Sequence, residues 1–160
     1  RTVVVGCLCA LVITLPSQVT RAATEPANAA VGAQAVETWL NSYSTSINKG
    51  DLEAFGRLWA DDVDWAPPDA PLLSGHDAMN GFARAVFEQY TVSHRFTAQS
   101  FKVVEDFGVA VIASAERYTP KAGGGAAWDQ NVKGVIVLRR DDGLWRGTHF
   151  IWNRDAPAKH

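Results

Sequence analysis

Residues 43–79 read YSTSINKGDLEAFGRLWADDVDWAPPDAPLLSGHDAM. Gly50 suits the position just past a helix, where a left-handed backbone is needed. Asp51 can then cap a second helix, with Leu52, Phe55, Leu58 and Trp59 as its buried stripe. Val63 and Trp65 alternate with Asp62 and Asp64, which predicts a short strand. Pro67, Pro68 and Pro71 end regular structure there. Ser74 and Asp77 have capping-box spacing, so a third helix is expected to open at Ser74. Met79, Phe82, Ala83, Val86 and Phe87 supply its apolar face.

Upstream, Val36, Trp39, Leu40, Tyr43 and Ile47 recur at three- and four-residue steps and predict the first helix. Downstream, 92–104, 107–119, 127–140 and 144–153 are rich in β-branched and aromatic residues and read as strands. Glu105-Asp106, Gly123-Gly124-Gly125 and Asp141-Asp142-Gly143 supply the turns. Three helices followed by a strand meander is an α+β order, with the helices packed on a curved antiparallel sheet.

The 160 residues fit one domain. Val3 to Leu15 form an apolar run after Arg1, and small residues follow. That pattern predicts a signal peptide over 1–23, cleaved near Ala22 or Ala23, with an uncleaved anchor as the alternative. The Ala-rich stretch 24–33 reads as a flexible linker and 34–157 as the domain. Export makes the protein secreted or periplasmic, with no membrane contact once the leader is gone. Both cysteines, Cys7 and Cys9, lie in the leader, which excludes disulfide and thiolate chemistry from the mature domain. Losing Arg1 and Arg21 takes the net charge from −2 to −4. No basic block marks a nucleic-acid footprint.

The segments INKGDLEAFGRLWADDVDW, LSGHDAM and VLRRDDGLWRGTHFIWN resemble the SnoaL-like and DUF4440 families of the NTF2-like superfamily. The resemblance covers roughly Ala35 to Pro157. It implies a sheet bent into a cone, a cavity between sheet and helices, and a homodimer formed through the sheet. Ketosteroid isomerase is the best-understood chemistry on this fold. Its first-helix phenol corresponds to Tyr43, five residues before Asn48. Its general base falls at Trp65-Ala66-Pro67-Pro68, where the nearest carboxylates are Asp64 and Asp69, and its second oxyanion donor falls near Lys133-Gly134.

The candidate catalytic residues are Tyr43, Asp69 and His149. Tyr43 is either a pocket phenol that polarises a ligand carbonyl or a core tyrosine. Asp69 lies in the Pro-rich turn that this fold places near the cavity mouth, and is the nominated base. His149 is either an acid–base group or a structural histidine, and strict alternation puts it on one face with Trp145, Ile151 and Asn153. Trp65, Phe82, His94, Trp128 and Asn153 are candidate ligand-lining residues. No His spacing suggests a metal, and the glycine triplet lacks the helix that a dinucleotide fingerprint needs, so no cofactor is expected. The expected partner is a small apolar organic molecule. The chain is then either a pocket for cofactor-independent isomerase- or hydratase-like chemistry on a carbonyl compound, or a non-catalytic binding or scaffold module.

Overall fold

The computed structural model describes residues 21–123 and 125–155, with side chains left undescribed for 21–29 and 98. The leader expected before Arg21 lies outside the described residues. The elements run α1 (Arg21–Lys49), α2 (Leu52–Gly56), β1 (Trp59–Ala66), β2 (Leu73–Ser74), α3 (His76–Gln89), β3 (Tyr90–Val104), β4 (Phe107–Pro120), β5 (Trp128–Asp141) and β6 (Leu144–Arg154). The strands form one sheet in the order β2-β1-β6-β5-β4-β3. β3 to β6 are an antiparallel meander, whereas β1 joins β6 in parallel. The result is the expected α+β arrangement of helices on a curved sheet, which is mixed rather than wholly antiparallel because β1 pairs with β6 in parallel.

Local signals explain most boundaries. Gly50 adopts φ 63° after α1, and the Asp51 carboxylate accepts the Ala54 N–H at 2.9 Å. Three expectations fail. α2 ends at Gly56, so Leu58 and Trp59, expected on its buried stripe, fall in the turn after it and in β1. The third helix does not open at Ser74, because the Ser74 backbone pairs with Asp64 in β2. The helix starts two residues later behind Gly75, which has no side chain to cap it. The stretch 24–33, expected as a flexible linker, lies within α1. Its alanines are the best helix formers, and they extend the helix rather than release it.

The core is a stack of aromatic rings between α1, α2 and the concave face of the sheet. Trp59 is wholly buried. Its ring lies 5.2 Å from Trp39, 4.9 Å from Trp65 and 6.0 Å from both Tyr43 and Phe150. Gly147 permits this layer, since a Cβ there would overlap the Trp59 ring. A β-bulge sits at the same place: Leu138 pairs with Gly147 and Val137 with His149, leaving Thr148 as the extra residue. The bulge reverses the alternation of β6. Gly147 faces the core before it, and Thr148, Phe150 and Trp152 face the core after it. His149, Ile151 and Asn153 are thereby turned outward, while Trp145 packs against the core.

Candidate functional site

A cavity of about 70 Å³ opens between α1, α3 and the inner face of β3, β4 and β6. Its wall is mostly apolar and includes Phe55, Phe82, Phe150 and Trp152. Four polar side chains interrupt it: Tyr43, His94, Glu116 and Tyr118.

Each arrives by a simple route. Tyr43 lies on the buried stripe of α1. His94, Glu116 and Gln130 are cross-strand partners in one row over β3, β4 and β5, and Val92, Tyr118 and Trp128 form the next. Antiparallel pairing puts directly opposed side chains on one face, about 4.5–5.5 Å apart at Cβ. The inner parity of β4 carries Ala110, Ile112, Ser114, Glu116 and Tyr118, so an apolar face becomes polar at its cavity end.

The Glu116 carboxylate gathers three donors. The Tyr118 hydroxyl and Gln130 Nε2 both donate to Oε2 at 2.8 Å. Ser114 Oγ reaches Oε1 at a long 3.3 Å. Oε1 therefore keeps acceptor capacity. Burial, reinforced by the Glu116 charge, pushes both the Tyr43 and the Tyr118 phenols above their ordinary range, so both stay protonated near neutral pH. Tyr118 commits its proton to Glu116. The Tyr43 hydroxyl has no hydrogen-bond partner among the described residues and is the phenol left to serve a ligand.

His94 is 4% exposed and packs edge-on to Tyr43 at 5.3 Å. Its Nδ1 shares a hydrogen bond of 2.9 Å with Ser44 Oγ. Asn48 grips its backbone from both sides, accepting the His94 N–H at 2.6 Å and donating to its carbonyl at 3.0 Å. Burial lowers the imidazole pKa from 6.5 to about 4, so the ring is neutral at physiological pH. Between those values the unfolded chain takes up a proton that the folded chain resists. Stability is accordingly level above pH 6.5 and declines as pH falls towards 4, by up to about 3 kcal/mol at roughly 1.4 per pKa unit. Asp62 has its carboxyl lowered by hydrogen bonds from Arg139, so its contribution disappears only below the usual carboxylate range. Chemical denaturation at pH 7, 5.5 and 4.5 should resolve the loss, and His94→Gln should flatten that leg. An unchanged slope in the variant would locate the sensitivity elsewhere.

The structure brings Tyr43, Trp65, Phe82 and His94 together on the cavity wall. The other candidates lie outside it. His149 is exposed on the outer face, 3.9 Å from Asp64, and Asn153 is exposed beyond it, both displaced by the Thr148 bulge. Trp128 is 40% exposed and stacks on Tyr118 at 5.1 Å without reaching the cavity. Asp69, at φ 60°, is exposed and pairs with Arg154 at 3.2 Å. A carboxylate with that partner and that exposure is poorly placed to reach a buried ligand. Glu116, Tyr118, Gln130 and Ser44 are the polar groups that the sequence reading missed; the parity of β4 was the signal for the first two. Among the described residues no three His, Cys, Asp or Glu side chains gather as a metal set, and no helix is long and apolar enough to cross a membrane.

Residues 36–151 match the SnoaL-like domain. This chain belongs to that family. Solved structures similar to it share the NTF2-like fold at low identity. A provisional dehydratase of the NTF2-like family from Streptomyces avermitilis is 17% identical, with TM-score 0.70, over 78% of this chain and 97% of that one. A ketosteroid isomerase-like protein from Erwinia carotovora atroseptica is 22% identical, with TM-score 0.64, over 78% and 96%. An NTF2-like superfamily protein from Salmonella enterica is 16% identical, with TM-score 0.70, over 79% and 92%. No curated protein sequence matches the chain. Within this SnoaL-like domain, the cavity behind Tyr43 lies between the helices and the concave face of the sheet.

Proposed function

We propose that this SnoaL-like domain binds a compact, largely apolar carbonyl compound and moves a proton on it without a cofactor, as an isomerase or hydratase does. The observation that carries the reading is a donor and an acceptor left open on one cavity: the Tyr43 hydroxyl and Glu116 Oε1. Tyr43 donates to the carbonyl oxygen and stabilises the charge that develops there. Glu116 takes the proton from the neighbouring carbon, a role for which it replaces Asp69. Gln130 and Tyr118 hold the carboxylate in place. The mostly apolar wall lowers the local dielectric, which strengthens both interactions. The names of the Streptomyces and Erwinia proteins agree with this class of chemistry.

Tyr43→Phe should weaken the binding of a ring-sized ketone such as cyclohexenone by about two- to tenfold, the usual worth of one neutral hydrogen bond, while leaving the fold intact. Titration followed by tryptophan fluorescence measures it. If stability falls markedly and affinity does not move, the hydroxyl is a structural group and the carbonyl role is lost.

One observation favours the second reading, a non-catalytic binding or scaffold module. The aromatic core leaves only about 70 Å³ of hollow. A binding module would take up cyclohexenone without exchanging its protons, and a scaffold would not bind it.

The partner proposed alongside either reading is a second copy of the chain. On the outer face of the sheet Val109 pairs with Val137, Val111 with Val135 and Val135 with Ile151, giving a contiguous apolar strip. Val111 is 52% and Ile151 62% exposed. Such a patch on a sheet face marks an association site. Light scattering at micromolar concentration should return twice the chain mass; a monomer mass would remove the dimer. Export to the periplasm or medium rests on the apolar leader.

A further inference from the structure

His94 belongs to two spaces at once. It lines the inner cavity, and it also lines a surface groove rimmed by the exposed residues Asn41, Arg95, Thr97 and Gln99. The groove lies between α1 and β3, beside the register shift at Phe96/Ala98. Ser44 lines the groove and not the cavity. Its hydroxyl is the one that meets His94 Nδ1. The neighbouring hydroxyls of α1 behave differently. Thr38, Ser42 and Thr45 donate to the carbonyl one turn back, and Ser46 to the Tyr43 carbonyl. Ser44 instead reaches across to the sheet. Asn48 then fixes the strand at this edge, so the imidazole stands as a partition with one nitrogen engaged towards the groove.

We propose that Ser44 and His94 form a proton port between the buried cavity and the solvent groove. An imidazole is suited to this because it accepts at one nitrogen and releases at the other. The step balances as follows. With the Nδ1–H tautomer donating to Ser44, a proton from the cavity binds Nε2. The Nδ1 proton passes to Ser44 Oγ as the serine proton leaves to a groove water. The ring ends neutral as the Nε2–H tautomer, and the reverse sequence returns a proton to the cavity. No electrons move and no co-reactant is required. Ser44 is thus a positioning and relay residue rather than one that touches the ligand. The port serves the acid–base chemistry proposed above and rests on that reading for its use, yet it is readable in the protein alone.

The test is solvent exchange of the His94 ring proton, followed by NMR on the full chain labelled with 15N-histidine. The signal is assigned by its loss in His94→Gln. Ser44→Thr keeps the hydroxyl and Ser44→Val keeps the same shape without it; Ser44→Ala serves if the valine variant does not fold. Exchange in wild type and Ser44→Thr should be at least tenfold faster than in Ser44→Val, with the Val variant locked in one tautomer. Equal rates in the Thr and Val variants overturn the port. If the tenfold difference holds while no ketone exchanges its protons, the port stands and the catalytic reading fails. If ketone chemistry proceeds with equal ring exchange rates, the port alone fails.

Discussion

Glu116→Gln is expected to lower turnover of a carbonyl substrate by about 10²- to 10⁴-fold, the range that a positioned general base supplies. The substitution keeps the shape of the side chain. The amide oxygen can still accept from Tyr118 or Gln130, and the new N–H₂ can donate to Ser114 Oγ. What disappears is the basic lone pair on Oε1. The rate should therefore fall while KM and stability change little, which is the signature of an interaction made in the transition state. Tyr118→Phe gives the contrast. It removes a hydrogen bond that holds the carboxylate without removing the base, so its effect should be much smaller. Steady-state kinetics of the three proteins on one ketone decide the matter. A Glu116→Gln enzyme as fast as wild type would take the proton-accepting role away from this carboxylate.

Trp59→Ala should destabilise the domain by about 3–5 kcal/mol, as the deletion of a buried aromatic does. Trp59 is wholly buried and touches the rings of Trp39, Tyr43, Phe55, Trp65 and Phe150. Its neighbours cannot collapse into the gap, because Gly147 offers no side chain and the sheet fixes the backbone. The loss should be smaller for Trp59→Phe, and by more than ring size accounts for. The indole Nε1–H of Trp59 is buried without a partner among the described residues, an arrangement that costs about 1–3 kcal/mol and that phenylalanine relieves. Urea denaturation of the two variants measures both effects. A cost under about 1 kcal/mol for the alanine variant would mean that the aromatic layer is not packed as described.

The cavity was legible in the sequence where its residues follow helical spacing. Tyr43 sits on an uninterrupted stripe from Val36 to Ile47, so its burial could be read directly. The strands were legible as strands, and the parity of β6 was not. One extra residue, Thr148, exchanges the faces of everything after it, and no pattern in THFIWN announces a bulge. That single register shift carried His149 and Asn153 out of the site. Glu116 and Tyr118 were passed over for a different reason. Their parity with Ala110 and Ile112 is visible in the sequence, but a charge near a strand end reads most simply as solvated. Only the pairing of β4 with β3 brings Glu116 opposite His94, and only the fold turns that row inward. Ser74 was misassigned because a two-residue strand took up its backbone before a helix could.

The direct measurement of the central claim is deuterium uptake. Cyclohexenone and a set of similarly compact cyclic ketones, incubated with the protein in D₂O, are followed by proton NMR at the carbons beside the carbonyl. Wild type should exchange those protons in at least one compound well above the buffer rate, and Glu116→Gln should not. Saturating protein that binds the ketones and leaves every such proton at its buffer rate would contradict the account.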